Sequence, residues 1–282
     1  MQFQWYPGHM TKARRAMESD IKLVDLVIEL LDARAPLSSR NPDIDTLGKN
    51  KSRMILLNKA DLKEKKKTDA WADYFRGMGF QVVLLDSRSG AGLKSVYSGI
   101  QEACREKIER DRRRGIRNRP VRAMVVGIPN VGKSTFINTL AGRVCAKTGN
   151  KPGVTKGNQW IRLNKNVELL DTPGILWPKF EDQQVGLHLA LIGSIKDDII
   201  NIEELAYELV GFLKKEYPEI LQERYGFLPM ENDYEVLKQI AQVRHCLLKG
   251  GDWNTEKAST ILLDDFRSGK LGRLSMEAAP KL

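Results

Sequence analysis

The sequence predicts an α/β protein in which a mostly parallel sheet, with helices on both faces, is followed by a small all-helical domain. Short apolar runs end in polar loops along the first part of the chain, and helical patterns lie between them. Apolar strands that alternate with helices are typical of a parallel sheet. Beyond residue 178 the strand signal fades and runs with helical spacing replace it. We therefore predict a first domain at 1–178 and a helical domain at 179–282.

The elements of the first domain follow one another in regular order. The predicted strands are 23–34, 53–61, 81–87, 121–127, 158–163 and 167–174. The predicted helices are 12–22, 68–77, 93–113 and 134–141. The segment 105–122 contains nine basic and three acidic residues, and we predict that it begins as the end of a helix and continues as a linker. The runs with helical spacing in the second domain are 185–195, 202–217 and 234–248.

Charge is distributed unevenly between the two predicted domains. The net charge of the 282 residues is +10, but residues 1–178 hold 33 Lys and Arg against 18 Asp and Glu, whereas 179–282 hold 13 against 18. A basic half favours a polyanionic partner such as nucleic acid, although solubility alone would also explain it. The three cysteines form no paired motif, and neither a signal peptide nor an apolar run of membrane-spanning length is seen. We therefore expect a cytoplasmic protein without a membrane partner.

A phosphate-binding loop reads GIPNVGKS at 127–134 and follows an apolar strand. Gly127 and Gly132 let backbone N–H groups turn toward phosphates, and Lys133 places an ammonium group against the β- and γ-phosphates. Ser134 opens the next helix and offers its hydroxyl to Mg²⁺. The predicted phosphate-contacting residues are Asn130, Val131, Gly132, Lys133, Ser134 and Thr135.

A second phosphate motif, DTPG, occupies 171–174 at the end of the next apolar run. Asp171 is expected to hold Mg²⁺ through a water molecule, and Gly174 leaves its N–H free to approach the γ-phosphate. Thr155 lies between the two motifs along the chain. Its position makes it the candidate for the second Mg²⁺ hydroxyl and for sensing the γ-phosphate.

The tetrad NKAD at 58–61 ends another apolar run and predicts the base. The carboxylate of Asp61 can accept two hydrogen bonds from guanine, whereas adenine would leave this charged group unpaired at a cost of about 1.5–3 kcal/mol. The stem of Lys59 can lie over the base, and Asn58 can tie this loop to the phosphate loop. Ser87 occupies the position of the last guanine-contacting loop, which usually reads SAK; the next two residues differ from that pattern.

The order of these motifs is unusual, because the tetrad precedes both phosphate motifs instead of following them. A circularly permuted GTP-binding domain explains this order. With WYPGHMTKA at 5–13, the DAR and SSRNP words at 32–42, PGVT, and DTPGILWPKF at 171–180, the chain resembles the circularly permuted GTPases of the YlqF/YawG group over almost its whole length. The resemblance implies a cytoplasmic GTPase that binds a late precursor of the large ribosomal subunit, including its rRNA and ribosomal proteins. We expect the protein to be a monomer. It also implies that the helical domain contacts rRNA.

The residue after DTPG is Ile175, which cannot orient the attacking water as the glutamine of many GTPases does. The resemblance implies that His9 orients this water when the ribosomal partner is bound; alternatively, His9 only lines a docking surface. It also matches Asn130 to an asparagine that ligates K⁺ in similar GTPases, although an asparagine also suits turn geometry. His188 and His245 lie in helical apolar patterns and are expected to be packing residues.

Three other functions fit parts of the sequence. A metabolic enzyme that uses GTP as a phosphoryl donor would need a second pocket with acid–base groups, and the helical domain shows no such cluster. A membrane-associated GTPase would need an amphipathic basic helix or a lipidation signal, and neither is evident. The third is an RNA-binding module that binds GTP without hydrolysing it. A GTP hydrolysis assay, with and without ribosomal particles, distinguishes this function from that of a GTPase.

Overall fold

A computed structural model of the chain describes residues 8–116, 119–146, 158–177, 180, 182–228 and 230–281, without the side chains of 8–10 and 13. The chain divides into two compact units. One contains Asp182–Leu274, and the other contains Gln4–Glu181 together with the C-terminal segment Ser275–Leu282. Each unit has its own core, and they are described separately below.

The first unit is built on a six-stranded sheet in which five strands are parallel and one edge strand is antiparallel. The strands are β1 (Leu26–Asp32), β2 (Ser52–Asn58), β3 (Gln81–Leu84), β4 (Val121–Val126), β5 (Gln159–Arg162) and β6 (Val167–Asp171). Their order across the sheet is β3-β2-β1-β4-β6-β5. The α/β fold class predicted from the alternating pattern is confirmed, and each strand lies within its predicted run except β2, which begins one residue earlier, at Ser52.

The central strand β1 is buried along its whole length, as expected for a parallel strand covered on both faces. Its one charged residue before the end, Glu29, is paired with Arg40 and Arg53, so the buried carboxylate is compensated. Because the strands beside β1 run parallel to it, β1, β2 and β4 end at the same edge of the sheet. This edge carries the motifs singled out in the sequence.

Helices of the first unit cover the sheet. They are α1 (Gly8–Asp20), α2 (Asp43–Leu47), α3 (Lys65–Gly77), α4 (Leu93–Ala103), α5 (Arg105–Arg113) and α6 (Lys133–Ala141). On one side, Trp71 and Phe75 of α3 stack on each other and pack into a buried cluster with residues of β1 and β2. The single helix predicted over 93–113 is broken at Cys104 into α4 and α5, and α5 ends at Arg113, where the predicted helix ends.

The second unit consists of helices, as the spacing of its apolar residues predicted. They are α7 (Gln183–Leu191), α8 (Ile202–Glu216), α9 (Glu219–Tyr225), α10 (Asp233–Val243) and α11 (Thr255–Ser268). The side chains of Asn201, Asn232 and Asn254 cap the starts of α8, α10 and α11 by accepting a backbone N–H. No helix in the described part of the chain is both long enough and apolar enough to cross a membrane.

The two histidines of this unit differ from each other. His188 of α7 is buried and lies 3.0 Å from the amide nitrogen of Gln184, in agreement with a packing role. His245 was also predicted to pack, but that prediction is wrong. Helix α10 ends before it, the residue has a φ of 51°, and its side chain is exposed. The apolar pattern continues past the helix end, which is why the sequence misplaced it.

The C-terminal residues do not stay with the helical unit. The predicted domain at 179–282 ran to the end of the chain, whereas residues from Ser275 onward group with the sheet unit. Met276 donates its N–H to the Arg34 carbonyl at 2.9 Å, and Ala279 packs against the cluster around Trp71. The segment is short and has no periodic pattern, so its sequence contained no signal for this placement.

Candidate functional site

At the carboxyl edge of the sheet, the side chain of Asn58 connects three loops that the sequence predicted to bind the nucleotide. Its amide nitrogen donates to the Val131 carbonyl of the phosphate loop at 2.8 Å. Its amide oxygen accepts from the Ser87 backbone N–H at 3.1 Å and from the Ser87 hydroxyl at 2.7 Å. Asn58 and Ser87 are both buried. One amide therefore joins the tetrad, the phosphate loop and the loop after β3.

The phosphate loop connects β4 to α6 and depends on two glycines. A Cβ on Gly132, whose φ is 102°, would lie 2.5 Å from the Asn58 amide nitrogen. A Cβ on Gly127 would lie 2.7 Å from the Leu30 carbonyl oxygen. Asn130 has a φ of 59°, a left-handed conformation that asparagine adopts more readily than most residues. The turn geometry alone thus gives a reason for asparagine at this position.

The side chains of Lys133 and Asp171 are both buried, and their opposite charges interact. Burial lowers the pKa of Lys133 to about 8, and the charge of Asp171 opposes this shift. Burial raises the pKa of Asp171, opposed by Lys133 and by the Thr172 backbone N–H. Within the described part of the chain, Asp171 Oδ1 is buried without a hydrogen-bond partner. A buried carboxylate oxygen without a partner is costly unless something binds it, so the side chain suits a cation or a water held by one.

The DTPG loop runs directly beside the phosphate loop. The Thr172 hydroxyl donates to the Val125 carbonyl at 2.8 Å, which fixes the start of the loop against β4. A Cβ on Gly174 would lie 2.8 Å from the Pro129 backbone, so only glycine permits this approach. Ile175 is buried and donates its N–H to the Gly127 carbonyl at 3.3 Å. Its side chain therefore fills apolar space.

Sequence reasoning assigned no role to Asp32 and Arg34, although both belong to the DAR word that carried the family resemblance. Asp32 is fully buried and accepts from the backbone N–H, Nε and Nη2 of Arg34 at 3.0, 3.0 and 2.8 Å. It also accepts from Lys59 Nζ at 2.8 Å. Despite burial, Arg34 and Lys59 hold the pKa of Asp32 far below its usual range. The signal for this network was a pair of charged residues, Asp32 and Arg34, at the carboxyl end of a buried strand.

Lys59 links this network to the phosphate loop. The backbone of Lys59 has a φ of 58°. The ammonium group of Lys59 donates to Asp32 at 2.8 Å and to the Asn130 carbonyl at 3.1 Å. Burial lowers the pKa of Lys59, and Asp32 opposes that shift. The stem of the side chain must therefore extend from the tetrad toward the phosphate loop, as a side chain lying along a base would.

The remaining predicted residues are placed as follows. Asp61 is exposed in the turn after β2, and Ser134 and Thr135 are half-buried at the start of α6. The Thr139 hydroxyl of α6 donates to the Ser87 carbonyl at 2.8 Å, which holds the loop after β3 against this helix. Thr155 lies outside the described residues, and so does the side chain of His9, whose backbone belongs to α1.

Comparison with known proteins identifies the family of this chain. The model of a family described as 50S ribosome-binding GTPase matches residues 122–227. The chain is 48% identical to ribosome biogenesis GTPase A of Bacillus cereus, over 98% of this chain and 94% of the relative. The chain belongs to the ribosome biogenesis GTPase A family. A member from Thermotoga maritima is 33% identical over 97% of this chain and 93% of its own length.

Solved structures agree with this assignment. The GNP-bound structure of YlqF from T. maritima is similar with a TM-score of 0.69 at 29% identity, covering 96% of this chain and all of the other. A GDP-bound structure of the same protein has a TM-score of 0.67, covering 94% and 99% of the two chains. The chain is therefore a GTPase of ribosome biogenesis with a P-loop domain and a helical C-terminal part.

Proposed function

We propose that this family member binds GTP at the carboxyl edge of its sheet, hydrolyses it slowly alone, and acts on a late precursor of the large ribosomal subunit. One observation carries the proposal: the Asn58 side chain holds the tetrad, the phosphate loop and the Ser87 loop together. These are the loops that a guanine nucleotide would contact at its base and at its phosphates. Because the tetrad precedes the other motifs along the chain, we also propose that the domain is circularly permuted.

In the proposed site the base lies against the tetrad and the phosphates lie in the loop of 127–134. The exposed carboxylate of Asp61 is accessible to guanine N1–H and N2–H₂. The stem of Lys59, fixed at its ammonium end by Asp32, lies along the base plane. Lys133, at the start of α6, neutralises the β- and γ-phosphates, and the N–H groups at the N-terminus of α6 contact them.

The donor set fits Mg²⁺. Asp171 presents a buried carboxylate oxygen without a partner among the described residues, and the Ser134 hydroxyl lies at the start of α6. Oxygen ligands of this kind, together with phosphates and water, are what Mg²⁺ prefers. We propose that Ser134 and Thr155 hold the ion directly and Asp171 holds it through water. When bound, the ion supplies charge that stabilises the transferring phosphoryl group.

Hydrolysis needs help that the DTPG loop does not provide, since Ile175 is buried and apolar. We propose that His9 orients the attacking water once the ribosomal particle is bound, and that K⁺ at Asn130 adds positive charge near the phosphates. His9→Ala should then spare GDP binding and reduce only the particle-stimulated rate. Replacing K⁺ by Na⁺ should slow turnover, and equal rates in the two salts would reject the ion at Asn130.

A polyanionic partner such as RNA would suit the net positive charge of residues 1–178. Arg112, Arg113 and Arg114 at the end of α5 are exposed, so their guanidinium groups are accessible to phosphates. The family model is described as ribosome-binding, and the relatives are named for ribosome biogenesis. We propose rRNA and ribosomal proteins of the precursor as the partner, contacts of the helical unit with rRNA, and a monomeric cytoplasmic form. We also propose that hydrolysis is coupled to release, because the γ-phosphate-sensing loop leads into the helical unit.

Measurements of particle binding, of GTP hydrolysis and of nucleotide specificity test the proposal. Cosedimentation with large-subunit precursors should be stronger with a GTP analogue than with GDP, and the particle should accelerate GTP hydrolysis. Asp61→Asn should weaken GTP and improve xanthosine triphosphate, whose 2-position carbonyl accepts a hydrogen bond. Equal binding of ATP and GTP by the unchanged protein would refute the role of the tetrad. Nucleotide-independent sedimentation without stimulated hydrolysis would leave only a GTP-binding scaffold.

A further inference from the structure

The C-terminal segment Ser275–Lys281 closes on a loop that lies 240 residues earlier in the chain. The Glu277 carboxylate accepts the consecutive backbone N–H groups of Leu37 and Ser38 at 2.7 and 2.9 Å, and it also accepts the Ser38 hydroxyl. The Glu277 carbonyl accepts the Trp71 indole N–H at 3.3 Å. Hydrogen bonds to an ionised acceptor are roughly twice as strong as neutral ones. Glu277 is therefore the main polar anchor of this segment, which we name the C-terminal clasp.

The clasp also faces a buried cation next to the guanine-reading tetrad. Lys63, two residues after Asp61, is 1% exposed, and its ammonium nitrogen has no hydrogen-bond partner among the residues that the structure describes. The nitrogen lies 5.6 Å from the centre of the Trp71 ring, the same ring that contacts the clasp. Burial lowers the pKa of Lys63 to about 8, and Glu277 is the carboxylate that opposes this shift most. The clasp thus supplies the charge that this position needs.

A second route leads from the clasp to the tetrad. Met276 donates its N–H to the Arg34 carbonyl at 2.9 Å. The Arg34 side chain, itself 1% exposed, is held on Asp32, and Asp32 accepts Lys59 Nζ at 2.8 Å. Lys59 in turn donates to the Asn130 carbonyl of the phosphate loop. Arg34 and Asp32 are buried and Lys59 is half-buried, and hydrogen bonds join their side chains in series, so we expect a displacement at Arg34 to shift Asp32 and Lys59 as well.

We propose that Glu277 is a positioning residue for the guanine-reading loop, and that the clasp and nucleotide binding are energetically linked. This inference rests on the proposed role of the tetrad. Linkage is reciprocal: if the docked clasp increases nucleotide affinity, bound nucleotide must stabilise the docked clasp by the same factor. The clasp leads to the base-reading side of the site, so it acts equally on GDP and on GTP.

The test compares Glu277→Ala and Glu277→Gln with a matched control, Glu223→Ala, which removes an exposed glutamate of α9. Equilibrium dissociation constants for GDP and for a non-hydrolysable GTP analogue are measured in the full-length protein, below the unfolding transition of each variant. Glu277→Ala should raise both constants about fivefold to tenfold, by equal factors. Glu277→Gln keeps an acceptor oxygen without the charge, so its dissociation constants should lie between those of Glu277→Ala and those of the unchanged protein. The constants of the control Glu223→Ala should equal those of the unchanged protein.

Unchanged constants in Glu277→Ala, even with a lower melting temperature, would show that the clasp serves only stability and would overturn the inference. A loss confined to the GTP analogue would overturn it too, because that result would place the effect at the γ-phosphate. If Glu277→Ala does not fold, the linkage is tested by hydrogen exchange in the unchanged protein. GDP should slow exchange of the Leu37, Ser38 and Met276 amides, and equal rates with and without GDP would refute the linkage. Failure of the proposed function is distinguishable, because Asp61→Asn would then leave guanine binding intact.

Discussion

Asn58 offers the sharpest test of how this site is assembled, because one buried amide makes three hydrogen bonds between three loops. Asn58→Ala removes all three at once. A typical hydrogen bond contributes about 0.5–1.5 kcal/mol net, and a buried group left without its partner costs about 1–3 kcal/mol. The buried Ser87 N–H and hydroxyl lose their acceptor, so we expect a loss of about 2–4 kcal/mol in the stability of the sheet unit.

The assay must report on that unit alone, since a protein with two compact units need not unfold in one step. Native-state hydrogen exchange of the β1 and β2 amides gives the unfolding free energy of the sheet directly. Asn50→Ala removes the same side chain at an exposed turn and should stay within about 0.5 kcal/mol of the unchanged protein. The affinity for GDP should also fall in Asn58→Ala, because the tetrad and the phosphate loop are no longer held together.

Ser87→Ala separates the contributions within this network, since it removes only the hydroxyl hydrogen bond at 2.7 Å. We expect a loss of about 1 kcal/mol, well below that of Asn58→Ala. If Asn58→Ala changed the exchange-derived free energy by no more than Asn50→Ala does, the assignment of Asn58 as the link between the loops would be refuted.

Three further predictions address the phosphate side and the partner. Gly174→Ala would place a Cβ 2.8 Å from the Pro129 backbone, so it should displace the DTPG loop and weaken a GTP analogue more than GDP in calorimetry; equal losses would separate this loop from the γ-phosphate. Because the pKa of Lys133 is lowered to about 8, its ammonium loses a proton as pH rises through 8, so GDP affinity should fall between pH 7 and 9; a flat profile over this range would contradict it. Neutralising Arg112, Arg113 and Arg114 together should reduce affinity for the ribosomal particle and flatten its salt dependence, because fewer counterions are released; no change in either would make the end of α5 a connector.

Much of the fold was predictable because its signals are local. An apolar run of five to seven residues that ends in a polar loop specifies a buried strand whichever strands lie beside it, and β1, β2, β4 and β6 were all recognised in this way. Boundaries were less predictable. The break at Cys104 was not predicted, because it depends on packing and on pairs such as Lys107 with Asp25, which lie far apart in the sequence.

The sequence by itself determined the family of motifs, their order along the chain and the chemistry that each residue type brings to an edge of a sheet. Glycines at 127, 132 and 174, a lysine at 133 and carboxylates at 61 and 171 carry that chemistry wherever the loops lie. Only the tertiary structure decided which residues support them. Asp32 and Arg34 are paired inside the protein with Lys59, and Glu277 accepts backbone N–H groups that precede it by 240 and 239 residues. Such contacts follow no periodic pattern in the sequence, because the folded chain has to bring a charged group and its hydrogen-bond partners together.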